Sequence, residues 1–151
     1  MKLGGDKKKR KRTFKQFAAL PYKVRDGELL FLLVTSRETK RWVIPKGWPK
    51  RGLKGCDTAA EEAFEEAGVV GEVARKPIAS FQYSKRMSEE RRRRCRVDVF
   101  LLAVHEELND WPEKDQRKRQ WMTPGQAAMS VAEAGLINLL LQLTLQEPDP
   151  Q

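Results

Sequence analysis

The sequence predicts an α/β domain, and three stretches carry that expectation. Residues 29–35 (LLFLLVT) are a continuous apolar run of strand length, the pattern of a strand buried on both faces. Residues 41–44 form a short strand-like run that breaks at Pro45 and Gly47, then leads through a basic glycine-rich loop into an acidic helix stopped by Gly68. Residues 123–145 close the chain with an Ala/Leu/Ile-rich helix suited to covering a sheet. A chain of 151 residues is one domain with enough length for a real core, and no internal repeat divides it.

The elements follow in order. The first 15 residues (MKLGGDKKKRKRTFK) hold eight Lys or Arg against one Asp, a large share of a formal charge of +9 built from 30 Lys+Arg and 21 Asp+Glu. Residues 1–13 therefore read as a basic, solvated and disordered arm, with a folded domain over 14–146 and a short tail over 147–151. Residues 17–24 (FAALPYKV) read as a strand that bends at Pro21, and Arg25-Asp26-Gly27 is a turn signal before the apolar run. After the acidic helix, strands are expected over 72–75, 78–84 and 96–104, the last two linked by the charged stretch 85–94. A loop over 109–118 leads to residues 119–122. Thr123-Pro124-Gly125-Gln126 then opens the last helix, with Thr as N-cap, Pro at the first helical position and Gln where a capping box wants it.

Composition excludes several classes. The arm lacks the apolar segment of a secretory signal, and residues 136–145 are too short and too interrupted by Asn138 and Gln142 to span a bilayer, so no membrane association is expected. Cys56 and Cys95 are too few for a disulfide framework or a zinc site and suit a reducing, cytoplasmic setting. The lone His105 ends an apolar run and reads as structural rather than catalytic.

The chemistry lies in the acidic helix. Glu62, Glu65 and Glu66 stand at relative positions 0, 3 and 4, which places them on one helical face. Their mutual repulsion is offset either by water, if the face is simply solvated, or by a divalent cation, and hard oxygen ligands suit Mg²⁺, with Mn²⁺ as the alternative. Thr58-Ala59-Ala60-Glu61 fits a capping box, which would give Glu61 a place at the helix start; Cys56 and Asp57 are equally available before the helix. Cations gather in three groups: Arg37, Lys40, Arg41 and Lys46; Lys85, Arg86 and the run Arg91 to Arg94 with Arg96; and Arg117, Lys118 and Arg119. Each alone reads as solvated surface. Three groups at strand ends near one acidic helix suit a ligand with several phosphates, since Arg makes bidentate charge-assisted bonds to each.

These residues resemble the Nudix hydrolase signature. Gly47, Glu62, Ala63, Glu65, Glu66, Gly68 and Val69 fall at its spacing without a gap, while Leu53 and Glu61 replace its first Glu and its Arg. Ser36-Arg37, Arg41-Trp42-Val43-Ile44-Pro45, Arg94-Cys95-Arg96, Leu108-Asn109-Asp110-Trp111 and Arg117-Lys118-Arg119-Gln120-Trp121 are similar to the diphosphoinositol polyphosphate phosphohydrolase branch, over roughly residues 14–132. One departure is local: that branch has a Gly-Gly-Gly run after its Pro, where this chain has Lys46-Gly47-Trp48-Pro49, a bulkier loop that narrows a phosphate channel.

The resemblance implies an α/β/α sandwich with a mixed sheet between helices, and metal-assisted hydrolysis of a diphosphate or oligophosphate linkage. Glu62, Glu65 and Glu66 are then the metal ligands, with Glu62 or Glu66 as general base. Arg37, Arg41, Lys46, Arg96, Arg117 and Arg119 clamp phosphates, Gly47 allows close backbone approach, and Trp48 is available for stacking on a ring. The expected partner is a polyphosphorylated small molecule, either a diphosphoinositol polyphosphate or a diadenosine polyphosphate. A nucleotide or RNA 5′-end pyrophosphohydrolase is the alternative on the same scaffold. A non-catalytic polyanion- or RNA-binding protein is the alternative of another class, disfavoured because aromatics are not interleaved with the cations.

Overall fold

The computed structural model describes residues 12–145. Most of the basic arm and the tail over 147–151 lie outside the described residues, and Thr13, at the arm's last position, already belongs to a strand. In chain order the elements are β1 (Thr13–Arg25), β2 (Glu28–Thr35), β3 (Trp42–Val43), β4 (Lys46–Gly47), α1 (Gly55–Glu62) running on into a π-helical turn (Ala63–Ala67), β5 (Val69–Val73), β6 (Ala79–Arg86) and β7 (Arg92–Glu107). A 3-10 turn (Lys114–Gln116), β8 (Arg119–Met122), α2 (Pro124–Ser130) and α3 (Ala134–Leu145) complete the order.

All eight strands join one mixed sheet. Its centre is the parallel pair β1 and β7, and every other pairing is antiparallel: β2 and β4 on β1, β3 and β8 on β2, β5 and β6 on β7. Period-2 alternation divides the apolar residues between the two faces. Ala18, Leu20, Phe31 and Leu33 pack on α2 and α3, where Leu136 and Leu140 are fully buried. Ala19, Leu32, Val34 and Phe100 pack on Ala59, Ala63 and Ala67 of the acidic helix. The run over 29–35 is thus apolar throughout because both its faces are covered, and the architecture is the expected sandwich. Each fully buried Leu there contributes roughly 1.5–3 kcal/mol.

Several expectations need correction. The first strand starts at Thr13, not 17, and β7 starts at Arg92, not 96, because its leading arginines are carried by a ladder from Ser84–Arg94 to Arg86–Arg92. The strand over 41–44 is split at Pro45: Trp42–Val43 pairs with β2, Lys46–Gly47 with β1, and the Pro45 carbonyl accepts from the Ala19 amide at 3.0 Å. The capped helix starts as expected, with Thr123 and Gln126 exchanging both capping bonds, but it stops at Ser130. Val131 turns extended and bridges Trp42, and a second helix begins at Ala134. The capping box at Thr58 is absent. α1 starts four residues earlier, Lys54 precedes it without a side-chain cap, and Thr58 is buried inside the first turn with its hydroxyl unpartnered. His105 is exposed on β7. No helix among the described residues is long and apolar enough to cross a membrane.

Candidate active site

Two of the three glutamates of the acidic helix are buried, and the third is not. Glu62 is 7 % and Glu66 6 % exposed, four residues apart along the helix. The helix widens into a π-helical turn over Ala63–Ala67, which carries Glu65 and Glu66. Glu65 is half-exposed, and its side chain meets Lys50. Lys50 reaches Glu62 at 3.1 Å and Glu65 at 3.4 Å, so the three glutamates share a face and differ in burial. Among the described residues no three acidic, histidine or cysteine side chains form a ready-made metal-ligand group.

Gly47 sits against this pair. A Cβ there would collide with the Glu62 carboxylate, so glycine is required for the β4 backbone to lie on the acid. Gly68 ends the helix in the left-handed region (φ 66°), and its Cα faces Trp111 and Arg119 so closely that a side chain would clash. Burial pushes the Glu66 carboxyl up to about 8; the Arg117 guanidinium opposes this, and the hydrogen bond and charge of Glu62 add to the rise. As a donor set for a divalent cation Glu62 and Glu66 fit: hard oxygens, desolvated, and crowded enough that a second positive charge relieves them.

Both acids open into a cavity of about 1460 Å³ whose rim is cationic. Arg37, Arg41, Lys46, Gly47, Trp48 and Arg117 of the expected set all line it. Arg117 reaches 3.8 Å from Glu66 and is fixed by Glu113 (2.7 Å) and the Thr35 carbonyl (3.0 Å). Arg37 donates to Gln116 at 3.5 Å and Arg41 to Thr39 at 3.2 Å, and neither pairs with a carboxylate among the described residues. Lys46 lies 5.2 Å from the Tyr83 ring, and burial pulls its ammonium below the usual range against the attraction of Glu133 and Glu66. Trp48 is 36 % exposed and packs its edge on Phe14.

Two expected clamp residues lie elsewhere. Arg96 is exposed and faces Asp98 at 3.7 Å, because alternation along β7 sends it to the face opposite Cys95 and Tyr83. Arg119 is structural: it donates to the carbonyls of Ala67 (2.9 Å), Gly68 (3.3 Å) and Leu108 (2.8 Å) and lies 4.0 Å over Trp111, binding the helix end to the following loop. Further lining residues stand outside the expected site set. Lys50 contacts Glu61, Glu62 and Glu65, Gln16 accepts from the Tyr83 hydroxyl at 2.6 Å, and Glu133 reaches the cavity from the break between α2 and α3. The expected single helix over 123–145 hid Glu133.

The chain matches the NUDIX domain over residues 15–141. It is 35% identical over 104 residues to Nudix hydrolase 12, mitochondrial, of Arabidopsis thaliana, covering 67% of this chain and 51% of that protein. It is 31% identical over 109 residues to diphosphoinositol polyphosphate phosphohydrolase 3-beta of Bos taurus, covering 71% and 62%. The chain thus spans about half to two thirds of the length of these relatives. Among solved structures, an Ap4A hydrolase binary complex of C. elegans superposes with a TM-score of 0.65 at 18% identity, covering 87% of this chain and 96% of that one. The NUDIX domain of Shewanella oneidensis NrtR, complexed with ADP ribose, gives 0.68 at 12% identity, covering 97% and 99%. At these identities the structural matches speak to the fold alone.

Proposed function

The chain belongs to the Nudix family, and on that premise we propose that it is a Mg²⁺-dependent hydrolase, with Mn²⁺ as an alternative ion, that cleaves a diphosphate or oligophosphate linkage. The observation that carries this reading is the buried Glu62–Glu66 pair at the foot of a cation-rimmed cavity. A divalent cation, when bound, supplies charge to the bridging phosphates and makes a water easier to deprotonate. Glu62 and Glu66 would hold it, with Glu65, now paired with Lys50, as the third ligand, and Glu62 or Glu66 would accept the water's proton. Arg117, already immobilised, and Lys46 stabilise charge nearest the acids, and Arg37 and Arg41 position the outer phosphates.

The substrate we favour is a diphosphoinositol polyphosphate or a diadenosine polyphosphate. Cations outnumber free aromatic faces in the cavity: Tyr83 is committed to Gln16 and Lys46, which leaves Trp48 alone to stack on a ring. That balance supports a phosphate-rich ligand over recognition of a single base. The test is product release from inositol pyrophosphates, dinucleoside polyphosphates, nucleoside triphosphates and capped RNA, with Mg²⁺ and with Mn²⁺. Turnover of one of the first two classes, abolished by EDTA, is expected. Turnover confined to capped RNA or triphosphates moves the substrate to the nucleotide class, and tight binding of all four without turnover overturns catalysis.

A further inference from the structure

The Lys50 ammonium lies 2.6 Å from Glu61, 3.1 Å from Glu62 and 3.4 Å from Glu65, so one cation touches three of the four helix glutamates. Resting on the metal reading above, we propose that Lys50 is a positioning residue that exchanges partners: it neutralises Glu62 and Glu65 when no divalent cation is bound, and Glu61 retains it when one is. The shortest of its contacts goes to the carboxylate outside the expected ligand set, which gives the side chain a place to stay. An ammonium and a divalent cation cannot share the same carboxylate oxygens without strong like-charge repulsion. Lys50 can move alone, because its side chain is a flexible four-carbon stem and its backbone is fixed by the Leu53 amide at 3.1 Å. Glu61 has no capping bond, and Lys50 is its one ion-pair partner among the described residues. The exchange gives a function to an acid that stands where the Nudix signature has Arg.

The experiment is calorimetric titration of the full chain with MnCl₂, together with thermal melting in EDTA and in saturating MnCl₂. Lys50→Met removes the competitor and is expected to bind Mn²⁺ roughly three- to tenfold more tightly. Glu61→Gln removes the alternative partner and is expected to weaken binding by a similar factor. In Lys50→Met/Glu61→Gln the second change has no further effect, and Lys50→Arg stays within about twofold of wild type. Lys50→Met melts lower than wild type in EDTA only, a difference that a purely structural role would retain with metal. Wild-type binding with unchanged or weaker affinity in Lys50→Met overturns the exchange alone. Should Lys50→Met fail to fold, unchanged affinity in Glu61→Gln overturns it equally. A wild type that binds no Mn²⁺ overturns the metal reading and this inference with it.

Discussion

As pH rises from about 5 to about 8 in EDTA, the protein is expected to lose stability through Glu66. Its carboxyl is raised in the folded state to about 8 from an ordinary 4.5. A group raised in this way stabilises fully below the lower value, and that contribution is lost as pH climbs through the upper one. Glu66→Gln keeps the shape and the hydrogen bonding but never ionises, so its melting temperature should stay nearly flat where the wild type falls by several degrees. Parallel melting curves for the two proteins would remove the buried-acid reading. The spacing of Glu62 and Glu66 was legible in the sequence, and so was their chemistry. Their burial was not, since it depends on the β4 backbone lying on Glu62 through Gly47, a contact between distant elements. Arg119 shows the reverse: its charge suggested a phosphate, while three backbone carbonyls had already claimed it.

The start of α1 offers a direct test at the level of elements. Were Thr58 an N-cap, Thr58→Val would cost about 1 kcal/mol. In the structure its hydroxyl is buried and unpartnered, so replacing it with a methyl of similar shape should be neutral or stabilise by about 1 kcal/mol, read by urea denaturation. A loss of stability would restore the capping box. The strands with apolar runs and the Thr123 cap were readable because each is a local pattern. The π-helical turn and the break at Val131 were not, because both are settled by packing: one by the fit of Ala63 and Ala67 on the sheet, the other by the bridge to Trp42. That break carries function as well as shape, since it delivers Glu133 to the cavity.

Across the whole molecule, cations outnumber acids around the cavity, yet they differ in what they face. Arg37→Gln or Arg41→Gln is expected to raise KM for a polyphosphorylated substrate severalfold with little change in kcat, the loss growing with the number of phosphates. Arg96→Gln should leave both constants unchanged, because its side chain lies on the other face of β7. Added salt should mimic the first two changes by screening exposed contacts, and steady-state kinetics at two ionic strengths will show it. An equal effect from Arg96→Gln would mean that the ligand extends beyond the described cavity.

The parallel pairing at the centre of the sheet also sets a timetable. Each rung between β1 and β7 joins residues 81 positions apart, from Thr13 and Arg94 to Tyr22 and Ala103. Closing so long a loop costs entropy before any contact returns it, so folding should be slow for a chain of this size. During synthesis β1 emerges long before β7, and its early pairings are the local ones with β2 and β4. The acidic helix lies inside the loop that β7 closes. The sheet beneath that helix, with Phe100 and Leu102 in it, is therefore complete only after β7 has been made.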